Sequence, residues 1–393
     1  MAAALLATAT SASAAGGIVA GDWTLDIGGI VNMYYTQTKH TGATTDANGG
    51  LTAANLEGGA SKLANLTTGL LPNYLIVSGK TRQNDLDVGF TISIQPGGST
   101  NSSAAGGYGM ETRQQLITFG DDSWGSIKLG KDLGIFASDA ILNDMTLLGV
   151  GSASGNRVGS TTTLGRIGTG YIYADWKNQI SFTTANYNGF SATGGITQAM
   201  NEVAVNSGLT TTQMGGSSPA FEGKASYAWA GDFAGKVWVS GLSQKVQSAT
   251  INERANAVDV GANVNVAGLG LTGYYFTADG VGHQAQMFGG LDTAGKTRSS
   301  DGYYVQATYV LPTQTKIGVS YGESNLDMNA VEAATQGNLK SDMWTVGAYH
   351  PLTKHLNLVA EYSNVTDTEG AHSAVAELKS EQKIVSLGAI LFF

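Results

Sequence analysis

Val258-Asp259-Val260-Gly261-Ala262-Asn263-Val264-Asn265-Val266 sets an apolar side chain at every even position and a polar one or glycine at every odd position. That period of two is a strand with one apolar and one polar face, since a helix repeats every 3.6 residues. Leu86-Asp87-Val88-Gly89-Phe90-Thr91-Ile92-Ser93-Ile94 repeats the pattern. Trp23, Leu25, Ile27, Val31, Met33 and Tyr35 share one face near the start, and Val385, Leu387, Ala389, Leu391 and Phe393 share one near the end. Working outward, the alternation places strands near 22–36, 72–82, 84–96, 111–120, 124–131, 171–184, 189–198 and 222–231. It continues at 235–246, 256–267, 269–278, 300–311, 314–323, 341–350, 354–366 and 383–393.

The connections alternate between short and long. Asp121-Asp122-Ser123, Asn186-Tyr187-Asn188, Gly231-Asp232-Phe233 and Leu311-Pro312-Thr313 are short. Long ones fall near 37–71, 97–110, 132–170, 199–221, 247–255, 279–299, 324–340 and 367–382, rich in Gly, Ser, Thr, Asn and Ala. Short turns on one rim and long loops on the other are what a transmembrane antiparallel up-and-down β-barrel requires. The expected fold is therefore all-β, with about 16 strands in a single domain over 15–393. Aromatic residues near strand ends (Tyr34 and Tyr35, Trp124, Tyr171 and Tyr173, Tyr274 and Tyr275, Tyr303 and Tyr304, Phe392 and Phe393) fit interfacial girdles.

Composition agrees. Only 13% of the 393 residues are charged, mean hydropathy is close to zero, and no apolar run approaches the ~20 residues of a membrane helix. Fifty-five glycines stand against five prolines. A net charge of −9 argues against nucleic acid as a partner. With no cysteine there is no disulfide framework, thiol nucleophile or thiolate metal site. Residues 1–14, with the apolar stretch Ala3 to Ala9 and the small-residue site Ala12-Ser13-Ala14, read as the end of an export signal lacking its basic start.

Several segments in order resemble trimeric general (diffusion) porins of Gram-negative bacteria. Thr112-Arg113-Gln114-Gln115-Leu116-Ile117-Thr118-Phe119-Gly120, a short turn and Trp124-Gly125-Ser126-Ile127-Lys128-Leu129-Gly130-Lys131 are similar to the strand pair before the family's constriction loop, with Gly130-Lys131 where the family has Gly-Arg. The connection from Asp132 to about 169 matches that loop in length and closes with Gly165-Arg166-Ile167-Gly168. Asn178-Gln179-Ile180-Ser181-Phe182, Tyr187-Asn188-Gly189-Phe190 and Gly347-Ala348-Tyr349-His350-Pro351-Leu352-Thr353-Lys354-His355 resemble later family segments, and Phe393 a terminal aromatic read by the barrel-assembly machinery. The loop tip Met145-Thr146-Leu147-Leu148-Gly149-Val150-Gly151 departs from the family's acidic pair, and Gly28 and Gly29 replace a basic residue on the first strand.

The resemblance implies a homotrimer in outer-membrane lipid and lipopolysaccharide, with the third long loop (about 132–170) folded into the lumen and one water-filled pore per subunit. It implies passive diffusion of ions and small hydrophilic solutes, with no cofactor. Lys131, Arg166 and Arg113, with Asp132, Asp139 and Asp144, would then surround the constriction. Lys316 and Glu361, in the polar phase of their strands, should face the lumen, because a charge facing lipid at mid-membrane costs about 2–4 kcal/mol. The bland readings are a loop-anchoring salt bridge for Arg113 and solvated loop carboxylates for Asp139 and Asp144. The five histidines are scattered, and neither a catalytic nor a metal constellation assembles. The alternatives are a substrate-specific channel of the same fold, a secreted all-β adhesin with its apolar faces packed between sheets, and a barrel enzyme with a catalytic rim.

Overall fold

The computed structural model describes residues 17–43, 50–52, 61–96, 110–154, 161–201, 216–248, 251–373 and 375–393. The signal-like residues 1–14 lie outside them. In chain order the strands are β1 (Ile18–Ala20), β2 (Trp23–Gly42), β3 (Lys62–Thr67), β4 (Tyr74–Gln83), β5 (Leu86–Pro96) and β6 (Met110–Glu111). Next come β7 (Gln115–Asp121), β8 (Gly125–Leu133), β9 (Trp176–Thr184), β10 (Phe190–Thr197), β11 (Ala220–Trp229), β12 (Phe233–Gln247) and β13 (Asn252–Val266). The wall finishes with β14 (Leu269–Asp279), β15 (Ser299–Val310), β16 (Lys316–Asp327), β17 (Leu339–Pro351), β18 (Leu356–Glu369) and β19 (Leu378–Phe392).

Sequence neighbours pair antiparallel all the way round, and β19 returns to β2 in register from Ser380↔Gly42 to Phe392↔Ile30. The β3 and β4 segments share one side of β2, β1 and β19 share its other side, and β6 and β7 share one side of β5, so each pair acts as a single interrupted stave. The result is a closed antiparallel barrel of 16 staves with no open edge. Several short turns are two-residue hairpins whose residues adopt positive φ, as at Asn84-Asp85 and Ala267-Gly268, the geometry that matches the twist of a strand pair.

Closure sorts the two phases. Val258 and Val260 are 53% and 51% exposed, while Asp259 between them is 1% exposed. The apolar phase therefore lines the outside and the polar phase the inside, the reverse of a sandwich. Outward Tyr35, Tyr275, Tyr303, Tyr321, Trp344 and Tyr362 form a belt toward the long-connection rim, with Tyr303 and Tyr321 at 6.1 Å between rings and Trp344 and Tyr362 at 5.2 Å. A second belt runs near the short turns, where Tyr227, Trp229 and Phe233 stack in sequence at 6.2 and 6.4 Å. The expected aromatic pairs divide between the two sides: Tyr35, Tyr275 and Tyr303 face out, while Tyr34, Tyr274 and Tyr304 are buried inside.

The strands run past their expected ends on the long-connection side. β2 continues to Gly42, β13 starts at Asn252 and β19 at Leu378. The apolar signal stops where the outward face leaves the lipid zone, at residues such as Lys39, Arg254 and Lys383, but the hydrogen-bonded ladder continues above it. Conversely, β9 begins at Trp176 instead of near residue 171, because Tyr171 to Asp175 belong to the connection.

Candidate functional site

The connection from β8 to β9, residues 134–175, carries a short helix, α1 (Ser138–Asn143), and a 3₁₀ turn over Met145–Leu148. Its described residues pack against inward-facing side chains far around the ring. Phe136, Ala140, Ile141, Met145, Leu147 and Tyr171 join the buried cluster that also contains Tyr34, Trp238, Tyr274, Tyr304 and Tyr349 of the wall. The hydrophobic core of the molecule thus sits inside the barrel, between this segment and the wall.

Polar clamps fix the segment at successive points. At its start, the Glu222 carboxylate of β11 accepts the backbone N–H groups of Ile135 and Phe136 at 2.7 and 2.9 Å and pairs with Lys177 at 2.5 Å, both side chains fully buried. On α1, Asp139 takes Lys224 of β11 at 2.9 Å and Lys236 of β12 at 2.5 Å. Gln306 of β15 accepts from the Met145 N–H at 2.7 Å and donates to the Asn143 carbonyl at 3.1 Å, and Tyr304 donates to the Ala140 carbonyl at 2.9 Å. Tyr34 of β2 reaches across to donate to the Leu148 carbonyl at 2.6 Å. Glu361 of β18 accepts from the N–H groups of Val150 and Gly151 at 2.8 and 2.9 Å and from the Tyr349 hydroxyl at 2.6 Å. Gly149 lies so close to that carboxylate that a Cβ would collide with it.

The residues expected at a constriction are distributed differently. Arg166 was expected to face the lumen from the start of a strand. It lies instead within the connection, fully buried, donating to the Met343 carbonyl at 2.8 Å, to the Ser320 hydroxyl and to its own turn at Thr169. Lys131 was also expected to face inward, yet its register with Gln115 and Asn178 puts it on the outward phase with Leu129 and Ile127. There, at the long-connection end of β8, it donates to the Thr112 carbonyl at 2.9 Å. Asp132, one residue on, points inward, pairs with Lys128 and accepts from Gln114 at 3.1 Å. Asp144 is no solvated carboxylate: it caps the 3₁₀ turn by accepting from the Thr146 N–H at 2.9 Å and hydroxyl at 2.6 Å, and takes the Tyr171 hydroxyl at 3.1 Å. Asp139 is likewise buried and paired. Lys316 and Glu361 occupy the inward phase, Lys316 lying 5.0 Å from the Tyr349 ring centre.

On the opposite side, toward β4–β9, the segment leaves a cavity of about 120 Å³. Leu70, Leu71 and Tyr74 bound it on the wall side and Leu142, Leu147 and Leu164 on the segment's side. Arg113 is its cationic residue, paired with Glu111 at 3.0 Å and with its guanidinium carbon 5.7 Å from the Trp176 ring centre. A second, more polar cavity of about 310 Å³ lies beyond α1 toward the short turns, lined by Asn143, Asp144, Gln306, Thr308 and Lys316 among others. Sequence reading missed Glu222, Lys177, Lys224 and Lys236. Strand parity placed each in an inward phase, so the signal was present.

A closed barrel with an apolar exterior between two aromatic belts and a polar interior defines the class: a transmembrane β-barrel channel. The family model described as Gram-negative porin matches residues 2–370, and the chain belongs to that family. The fold is similar to the outer membrane channel DcaP of Acinetobacter baumannii, at 16% identity and a TM-score of 0.70, over 96% of this chain and 100% of that one. It is also similar to OmpT of Vibrio cholerae, at 12% identity and 0.59 over 96% and 100%, and to Salmonella typhi OmpF, solved with daunomycin, at 13% identity and 0.56 over 96% and 99%. No curated protein matches the chain in sequence. The protein is an outer-membrane diffusion channel. The adhesin alternative fails, since the apolar faces point outward and not between sheets.

Proposed function

We propose that the 134–175 segment constricts this channel from inside, and that solutes pass on its β4–β9 side. One observation carries the reading: the carboxylate and lysine clamps run to β11, β12 and β18, while toward β4–β9 the segment is tied by neutral bonds to Gly69 and Leu70 and by Arg113 to Thr161, with the cavity beside Arg113 left between them. At the β11 and β12 clamps each carboxylate is paired, Glu222 with Lys177 and Asp139 with both Lys224 and Lys236, so the field they leave across the lumen is that of one excess positive charge and charge selectivity is modest. Of the expected constriction residues, this reading gives Arg113 the position beside the passage, and Asp144 and Lys316 border the separate polar cavity near the short turns. Passive diffusion of ions and small hydrophilic solutes needs no catalytic step and no cofactor.

The assembled form in this reading is a homotrimer embedded in outer-membrane lipid and lipopolysaccharide, with residues 1–14 as an export signal ahead of a single barrel domain. It is supported by OmpT of Vibrio cholerae, a structural neighbour solved in a trimer form at 13% identity and a TM-score of 0.53. Planar-bilayer recording tests it. Long-lived steps closing in threes are expected, with Glu361→Gln giving larger and noisier steps as the segment loosens. An unchanged step size in a folded Glu361→Gln barrel would contradict the constriction.

A further inference from the structure

The passage beside Arg113 has an unusual chemistry for a route taken by hydrated solutes. Leu70, Leu71, Tyr74, Leu142 and Leu147 give it apolar walls, and about 120 Å³ of space is close to the ~150 Å³ in which a dry apolar cavity holds one benzene ring. Burial of an apolar ring there is favourable by the area it removes from water. At one edge stands the Arg113 guanidinium, its side chain 11% exposed. It is held in place by Glu111 at Nε and by the Thr161 hydroxyl at 3.3 Å from Nη2, and Nη1 makes no hydrogen bond among the described residues. The Trp176 ring beneath it has its own N–H committed to the Tyr173 hydroxyl at 2.6 Å, so its face is fixed. An oriented fork of donors beside a ring-sized apolar space recognises a carboxylate joined to a compact apolar body.

We propose that this cavity is a binding subsite for small aromatic monocarboxylates within the channel. The inference rests on the reading that solutes pass on this side of the 134–175 segment. The ring sits against the leucines, and the carboxylate pairs with Arg113 in competition with the half-exposed Glu111. A purely ionic solute lacks the apolar contact and a neutral aromatic lacks the charge, so each should pass without a pause.

Benzoate, acetate and benzyl alcohol, added singly at equal concentration to the reconstituted full chain in a planar bilayer, test this. Benzoate is expected to give resolved interruptions of the open current, and acetate and benzyl alcohol none. In Arg113→Gln the benzoate interruptions should weaken by about tenfold or more, as the loss of a charge-assisted pair implies. Leu142→Asn, which keeps Arg113, should weaken the benzoate interruptions, and it serves if Arg113→Gln fails to give a heat-modifiable barrel. Normal steps without a benzoate response, equal responses to acetate or benzyl alcohol, or an unaltered response in both variants would overturn the subsite and leave the diffusion channel standing. No steps at all would overturn the channel reading beneath it.

Discussion

Toward β11–β18 the 134–175 segment is held by buried carboxylates and lysines; toward β4–β9 it is tied by neutral bonds at Gly69 and Leu70 and by Arg113 to Thr161, beside a space lined mostly by apolar side chains. The first side spends buried carboxylates on backbone N–H groups that no helix or ladder satisfies. The second anchors it with uncharged backbone bonds, Leu70 N–H to the Gly149 carbonyl at 2.8 Å and Thr163 N–H to the Gly69 carbonyl at 3.0 Å, and with Arg113 on the Thr161 hydroxyl. A connection of this length could lie on either side of the lumen. What fixes its side is where the inward phase of the wall offers partners: Glu222, Lys224, Lys236, Gln306 and Glu361 all stand on one arc of the ring. The comparison separates the residues that hold the segment from those a solute meets.

Breaking the held side at its start should have the largest effect. Glu222→Ala leaves Lys177 charged and buried without its partner and orphans the N–H groups of Ile135 and Phe136. A loss of about 3–5 kcal/mol is expected for such a pair. It would be read as a marked drop in the temperature at which the folded barrel converts to the slower, unfolded form on gels. Breaking the far end is expected to cost less, about 2–4 kcal/mol, since Glu361→Ala removes three hydrogen bonds to a carboxylate without stranding a cation. Its signature is excess current noise with the barrel still intact.

The same contrast explains what was legible in the sequence. Alternation at Val258–Val266 and Leu86–Ile94 fixes strand, phase and barrel, because a wall between lipid and water must alternate along every stave. Strand ends above the lipid zone, such as Asn252 to Ala255, were not legible, since the outward face there carries Asn252 and Arg254 and the apolar period disappears. Parity also decides Lys131: Ile127, Leu129 and Lys131 share a face, and that face is outward, however well Gly130-Lys131 matches a family segment. Arg166 was beyond local reading, since its partners at Ser320 and Met343 are more than 150 residues away and only the folded ring brings them near. Asp139 and Asp144 read equally well as solvated loop acids, because nothing in their neighbourhood announces Lys224, Lys236 or Tyr171.

A second connection, residues 280–298, sharpens the comparison through pH. His283 is buried there, neither ring nitrogen hydrogen-bonded among the described residues, and burial with the nearby Arg298 pushes it down to about 4. The released connection takes up a proton near the ordinary histidine value and the packed one does not until about 4. Packing therefore keeps its full contribution above pH 6.5 and loses it progressively as pH falls toward 4. Faster amide exchange in 280–298 at pH 4.5 than at pH 7.5, relative to the wall strands and after correction for intrinsic rates, is expected, with the difference abolished in His283→Gln. The smallest effect belongs to the short-turn rim. Arg82 bridges Asp87 and Asp121 at 2.8 Å each with its own side chain half exposed, and Arg82→Ala should leave the temperature of thermal conversion nearly unchanged.

The absence of cysteine makes one direct measurement possible. Single cysteines at Leu142, beside the apolar passage, and at Ala140, fully buried against the β15 side, can be challenged with a charged thiol reagent while single-channel current is recorded. If the segment is held on one side and solutes pass on the other, Leu142→Cys reacts and the current falls stepwise, while Ala140→Cys is untouched. Reaction at Ala140→Cys, or a current indifferent to modification at Leu142→Cys, would contradict that arrangement.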